Sequence, residues 1–368
     1  MLDFTSSLFL GLTHESGALE WSELTTGKPA ALCLPAAATE TARAFAALVG
    51  CARAVPSTST LHAFTDVFAG VGASHATSAL LYDDGVYPVA RWGMERAERR
   101  GAIVLPFRHH DAGALERRLS RLAGARRRPW VVCDGFCPGC ARPAPLPEYL
   151  ALARRWGGRL VVDDTQATGL LGAGPCAAAP LGRGGGGSPA RFGLTGGDLV
   201  VVASLAKAFG APVAMLAGSR AFVDDFEARS ETMLHCSPPS QAHLAAAARA
   251  LALNAAAGDR LRARLVARVR GFRRALAAAG FTARGGPFPM QRVATGDPRA
   301  ALALRAELAR RGIRALARRA RCTGEASVTF IITARHGEAE LRTAAAALAA
   351  AAWGGHGSID TLSSKLEA

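Results

Sequence analysis

An α/β fold built on a mostly parallel sheet is what this sequence predicts, on three observations. Short apolar, β-branched runs alternate along the chain with alanine- and arginine-rich stretches of helical period. Several of these runs end on acids, at Asp83, Asp134 and Asp163. The 368 residues, half of them hydrophobic, are enough for a large core and for more than one domain.

The elements follow in order. Residues 2–12, LDFTSSLFLGL, alternate apolar and polar side chains, and residues 24–29 read as a turn. The stretch 36–49 has the spacing of an amphipathic helix, which Gly50 ends. Residues 53–61 read as a hydroxyl-rich turn, with Ser59, Thr60 and Leu61 leading into an apolar helix over 62–71. Such a helix start offers free amides and hydroxyls, which suit both a cap and a phosphate cradle. Residues 78–83 form a strand, and Tyr87 follows in a turn. Residues 103–107 are the next strand, and Asp111 caps the helix after it. The neighbouring pair His109 and His110 reads as structural.

Residues 129–135 form a strand ending at Asp134, 147–156 a helix, and 159–163 a strand closing on the acids Asp163 and Asp164. The glycine run 182–187 reads as a mobile loop near the site entrance, because no Lys-Ser pair follows to make it a nucleotide loop. Residues 222–231 are helical, and 241–274 form a long helix bridging to the C-terminal domain. Strands at 292–294 and 327–332 alternate with helices at 300–311 and 337–351, a small α/β domain. The polar tail 354–368 is expected to lack fixed structure.

The formal net charge of +15 invites a nucleic-acid reading. The arginines, however, are spread over helical stretches rather than gathered with aromatics, so no nucleic acid is expected. A basic surface also suits an acidic carrier protein or a coenzyme A thioester. No uncharged apolar run reaches transmembrane length, and the N-terminus lacks a basic export region, so a cytoplasmic location is expected and no membrane contact. The eight cysteines are then expected to be reduced thiols. Cys137 and Cys140 form a CxxC. Zinc would normally need a second ligand pair at similar spacing, and none is present; a redox pair should open a helix. The motif reads as structural or incidental, with redox tuning and metal binding as alternatives.

Residues 198–219, DLVVVASLAKAFGAPVAMLAGS, place Lys207 between two apolar runs. Desolvation there would lower its pKa and free its lone pair for a Schiff base with an aldehyde. The chain has only two other lysines, Lys28 and Lys365. A loop lysine reaching for solvent is the competing reading. Upstream, RLVVDDTQATG is a strand ending in a carboxylate pair. Pyridoxal phosphate (PLP) needs such an acid, so that its pyridine nitrogen stays protonated and the ring works as an electron sink.

VVDDTQATG with SLAKAFG resembles the fold-type I PLP-dependent enzymes, and most closely the α-oxoamine synthases, such as 8-amino-7-oxononanoate synthase and glycine C-acetyltransferase. The family patterns are VDDAHGTG and TxGKxxG. The resemblance implies a large domain over about 36–253 with a mostly parallel sheet, and a small domain from 1–35 and 254–353. It implies PLP as cofactor and a homodimer with the active site at the interface. Lys207 would carry the cofactor and act as acid and base at Cα. Asp163 would hold the pyridinium proton, and alternation along the strand would turn Asp164 away. Tyr87 would stack on the ring, where the family has histidine, and Gln166 would donate a hydrogen bond to the ring hydroxyl oxygen, again at a family histidine. Ser59, Thr60, Leu61 and Ser204 would line the phosphate site, joined by Ser237 across the dimer. Asp134 falls in the segment that matches the family's TEGVFSMDGD.

The family holds the amino-acid carboxylate with an arginine, and Ser327 stands at that position. Either Arg318 or Arg319 substitutes, or the substrate has no free carboxylate there, as in an amide, an amine or a carrier-bound aminoacyl thioester. Together with the altered ring partners and Pro138 at a family serine, this leaves three readings. One is a synthase condensing an amino acid or aminoacyl substrate with an acyl thioester, acyl-CoA among them. Another is an aminotransferase, decarboxylase or lyase on the same scaffold. The third is a non-catalytic binding role.

Overall fold

The computed structural model describes residues 1–73, 78–122 and 128–353. The tail 354–368, expected to lack structure, lies outside the described residues. The chain divides into a larger unit, residues 10–137 and 142–260, and a smaller one, residues 1–9, 138–141 and from 261 on. The boundaries expected near 36 and 254 thus fall at 10 and 261.

The larger unit is built on a seven-stranded sheet. Its strands are β1 (Arg53–Ser57), β2 (Ser78–Asp83), β3 (Ile103–Phe107), β4 (Arg128–Asp134), β5 (Arg159–Asp163), β6 (Leu199–Ser204) and β7 (Ala214–Gly218). Their order is β1-β7-β6-β5-β4-β2-β3. Only β7 runs antiparallel to its neighbours, so the expected mostly parallel sheet is present. Residues 53–57 correct the sequence reading: they are an edge strand, not part of a turn. Pro56 misled there; an edge strand tolerates a residue without an amide donor.

Both faces of the sheet are covered, which is why its strands read as continuous apolar runs. Leu80, Val132, Val161 and Val200 pack with Phe64, Phe68 and Met94 on one face. Leu81, Val131, Val162 and Val201 pack with Leu115, Leu119 and Tyr149 on the other. Helix Ala36–Val49 ends as read, with Gly50 in the left-handed region at φ 73°. Helix Thr60–Ala73 begins two residues earlier than the apolar pattern suggested. Helix Pro88–Arg99 escaped the sequence reading; its mixed, Arg-rich pattern hides the buried stripe Ala90, Gly93, Met94 and Ala97. The helix expected at 222–231 is Arg220–Arg229, capped by Ser219 and followed by a short turn of helix, Glu231–His235.

The glycine run 182–187 is another correction, because it is pinned rather than mobile. Gly169 N–H donates to Gly185 O at 2.8 Å, and isolated bridges join Thr168 to Gly186 and Ala173 to Arg183. A Cβ on Gly187 (φ +82°) would meet Asp164 Oδ2 at 1.8 Å, so glycine is required there.

Helix Gln241–Ala278 carries the chain from the larger unit into the smaller one. The smaller unit has a four-stranded antiparallel sheet, in the order Ala283–Arg284, Met290–Ala294, Ala326–Ile331, Leu316–Arg319. The N-terminal segment belongs to it: Leu2–Asp3 pairs with Ile313–Arg314, and Phe4 packs against Phe272, Phe330 and the His336 ring.

Candidate active site

In the larger unit the carboxyl ends of β4, β5 and β6 lie side by side, the usual ligand edge of an open α/β sheet. Asp134 and Asp163 are register partners across β4 and β5. Ser204 closes β6, and the turn after it carries Lys207. One residue that sequence reasoning passed over ties these ends together. Thr165 Oγ1 accepts from Ser204 N–H at 3.0 Å, while Thr165 N–H donates to Asp163 Oδ1 at 3.0 Å. A hydroxyl two residues after a strand-ending acid was the available signal.

The two acids of β5 part company, as strand alternation requires. Val161 and Val162 face opposite cores, and Asp163 and Asp164 continue those two faces. Asp164 is fully buried and committed elsewhere. It accepts from Ser188 N–H at 3.1 Å and from Thr168 Oγ1 at 2.9 Å. Burial nevertheless pushes its carboxyl up to about 7, with the Asp163 charge helping. Burial also raises Asp163, opposed by its hydrogen bonds from Thr165 and by the charge of Lys207. Asp134 is pushed well above the usual carboxylate range by burial first and the Asp163 charge second. The Tyr87 N–H, which donates to Asp134 Oδ1 at 3.1 Å, and Lys207 work against that shift. The charge of Lys207 thus favours ionisation of both acids at this edge.

The remaining expected site residues occupy the same unit. Ser59 caps helix Thr60–Ala73: its Oγ accepts from His62 N–H at 3.4 Å and meets His62 Nδ1 at 2.8 Å. Thr60 opens the helix, and Leu61 is exposed beside it. Thr58 Oγ1 donates to Ser237 O at 3.4 Å, so Ser237 stands by this turn within one chain. Tyr87 is 54% exposed at the start of helix Pro88–Arg99, with its ring available to a ligand. Gln166 Oε1 is buried with no hydrogen-bond partner. Such an orphan acceptor is costly unless something donates to it. A lysine beside a buried acid pair, an orphan acceptor and a hydroxyl-flanked helix start together suit an aromatic aldehyde bearing a hydroxyl and a phosphate. These residues fit PLP.

Residues 2–348 match the family model of aminotransferase class I and II. The chain belongs to that family. Among curated members, the 8-amino-7-oxononanoate synthase of Halorhodospira halophila is 35% identical over 251 residues, 67% of this chain and 59% of that protein. The chain aligns with less than two thirds of the length of the first curated relatives it matches. A Sphingomonas wittichii serine palmitoyltransferase superposes with a TM-score of 0.81 over 95% of this chain and 86% of that one, at 19% identity. An 8-amino-7-oxononanoate synthase from Francisella tularensis does so with a TM-score of 0.68, over 95% and 97%, at 17% identity. The architecture of this family member is therefore fold-type I, with its strand order and single antiparallel strand as described. Among the described residues no helix is long and apolar enough to cross a membrane.

Proposed function

We propose that this family member is a PLP-dependent transferase of the α-oxoamine synthase kind, condensing an amino acid with an acyl thioester and releasing carbon dioxide. The observation that carries the proposal is the edge of the sheet where Lys207, Asp163 and Asp134 interact, with Thr165 locking Asp163 to the lysine turn. The synthase names among its curated relatives support this reaction class. PLP, when held on Lys207, supplies the sink for negative charge that develops at Cα.

The protein's own groups do the rest. Asp163, fixed by Thr165, holds a proton on the ring nitrogen. Gln166 takes a hydrogen bond at the ring hydroxyl. Ser59, Thr60, Leu61 and Ser204 line the phosphate pocket, with Ser237 joining them at the Thr58 turn of the same chain rather than across the homodimer. Tyr87 covers the ring face. The Lys207 amine would move a proton at Cα. Asp134 steadies Tyr87 through the backbone amide.

The carboxylate partner is read from the sheet of the smaller unit. Ser327 is buried, and Arg318 is its direct register partner on the neighbouring antiparallel strand. Directly opposed residues share a face, so Arg318 offers a guanidinium in place of the family's arginine. Arg318 itself is exposed; Arg292 lies on the same face, opposite Thr329, buried and paired with Glu325 at 3.3 Å. A relocated clamp keeps a free amino acid as substrate and decarboxylation within reach. We place the enzyme in the cytoplasm.

The test incubates the enzyme with amino acids and acyl-CoA donors. The expected result is equal release of coenzyme A thiol and carbon dioxide, abolished in Lys207→Ala. Amino-group transfer to a keto acid without thiol release would replace the synthase reading with an aminotransferase. Borohydride reduction and peptide mapping should place the cofactor adduct on Lys207. An adduct on Lys28, or none, would remove the PLP assignment itself.

A further inference from the structure

The CxxC pair is left unused by the proposed chemistry, and the fold surrounds it with more than its spacing suggested. Asp134 leads through Gly135 into a small hairpin, Phe136–Cys137 against Arg142–Pro143, with Cys137 opposite Arg142. The hairpin turn carries Cys140 and closes with Ala141 at φ 58°, in the left-handed region. Cys137 is buried, and its sulfur and a ring nitrogen of His109 lie within 4.8 Å of one another. The donor absent from the local sequence therefore comes from the end of β3.

His109 is prepared for a ligand's role. Its Nδ1 bonds Asp83 Oδ1 at 2.6 Å, and Asp83 is 2% exposed. Asp83 also accepts from Gly85 N–H at 2.8 Å, His110 N–H at 2.9 Å and Tyr149 Oη at 3.2 Å. Four groups thus converge on this one buried carboxyl. An ionised Asp83 takes the Nδ1 proton of His109 as a hydrogen bond and leaves Nε2 as the lone-pair nitrogen. A carboxylate-oriented imidazole is the usual companion of a bound metal. The pair is tightly enclosed: a Cβ on Gly85 would meet His109 Nδ1 at 2.3 Å. His110 stacks on His109 with ring centroids 3.7 Å apart.

We propose that His109, Cys137 and Cys140 bind a thiophilic divalent cation of the zinc class, with Asp83 as the orienting group and the fourth position filled by water or a further donor. Nitrogen and thiolate donors select zinc over magnesium or calcium, and the Asp83 carboxylate is already taken up by hydrogen bonds. Two donors on one tetrahedral zinc stand roughly 3.5 Å apart. The spacing of His109 and Cys137, within 4.8 Å, closes with a side-chain adjustment of about 1 Å. Cys140 follows Cys137 at the spacing by which CxxC turns grip a metal. The ion would clamp the hairpin to the end of β3 and so hold Asp134, three residues before Cys137, in place. It takes no part in the transfer chemistry, and the site stands whether or not the proposed function holds.

The test uses the full chain with its cofactor, expressed in zinc-supplemented medium and dialysed against metal-free buffer. Elemental analysis should find about one zinc per chain. Cys140→Ser and His109→Ala should lose it, while Cys176→Ser, at an exposed thiol, should keep it. Asp83→Asn should weaken binding by about 10- to 100-fold. Cobalt exchange should bring thiolate-to-cobalt absorption that Cys140→Ser abolishes; if His109→Ala fails to fold, that spectrum and Cys140→Ser decide. Zinc well below stoichiometry after supplementation and reconstitution would overturn the proposal. So would equal zinc in Cys140→Ser and the parent, or a Cys137–Cys140 disulfide in freshly isolated protein.

Discussion

Replacing Asp164 with asparagine should change how stability depends on pH, and the structure sets the size of the effect. Asp164 is fully buried, and its carboxyl is raised from 3.8 to about 7, by burial first. The folded state therefore binds its proton more tightly than the unfolded state does. The stabilisation is fully present below pH 3.8 and is lost as pH rises towards 7. The total is the shift times 1.36 kcal/mol per unit, about 4 kcal/mol. Between pH 5 and pH 8 the wild-type protein should lose roughly 2 to 3 kcal/mol on this account. The asparagine of the variant does not titrate, and its amide still accepts from Ser188 or Thr168 through one oxygen. The variant starts with a penalty for one lost acceptor, about 1 to 2 kcal/mol. It should then gain on the wild type as pH rises. Urea unfolding of both proteins at pH 5, 6, 7 and 8 measures the difference, in which groups common to both cancel. A difference that stays flat across the series, or moves the other way, would mean that Asp164 remains ionised in the fold and that its hydrogen bonds outweigh its burial.

The other predictions concern neighbouring positions. Asp163→Asn should retain PLP yet lose most exchange of the Cα proton with deuterated solvent, whereas Asp164→Asn exchanges near normally; the reverse ranking would put the wrong acid at the ring. Gly187→Ala should destabilise the larger unit by about 2 kcal/mol or more, since it forces a side chain into the left-handed region against Asp164 Oδ2. Thermal unfolding reads this, and a neutral result would show that the 182–187 segment yields easily. Arg318→Ala should weaken binding of a free amino acid by about tenfold or more and leave that of its amide nearly unchanged. Equal losses for the two would take the carboxylate away from Arg318.

The elements that were legible in the sequence are those whose physics is local. Gly50 as a left-handed helix end, Asp111 as a helix cap, and the strands Ser78–Asp83 and Ile103–Phe107 need only their own residues and immediate neighbours. Lys207 and the Asp163–Asp164 pair were equally visible, because a lysine between apolar runs and an acid pair at a strand end are uncommon on grounds of charge alone. What the sequence could not decide depends on which distant segments meet. Strand β1 looked like a turn, because its partner β7 lies far along the chain and supplies the pairing that Pro56 seemed to forbid. The 182–187 segment looked mobile, because the groups that hold it, Asp164, Gly169 and Leu171, belong to another stretch. Thr165 drew no notice as a link until Ser204 came within reach of its hydroxyl. The CxxC looked two donors short because spacing rules see only neighbours in sequence. The fold returned His109 to Cys137 across the end of the sheet. Hydrophobic period and cap chemistry are written residue by residue, whereas hydrogen-bond partners, buried charges and metal donors are settled only when the sheet assembles and brings its strand ends together.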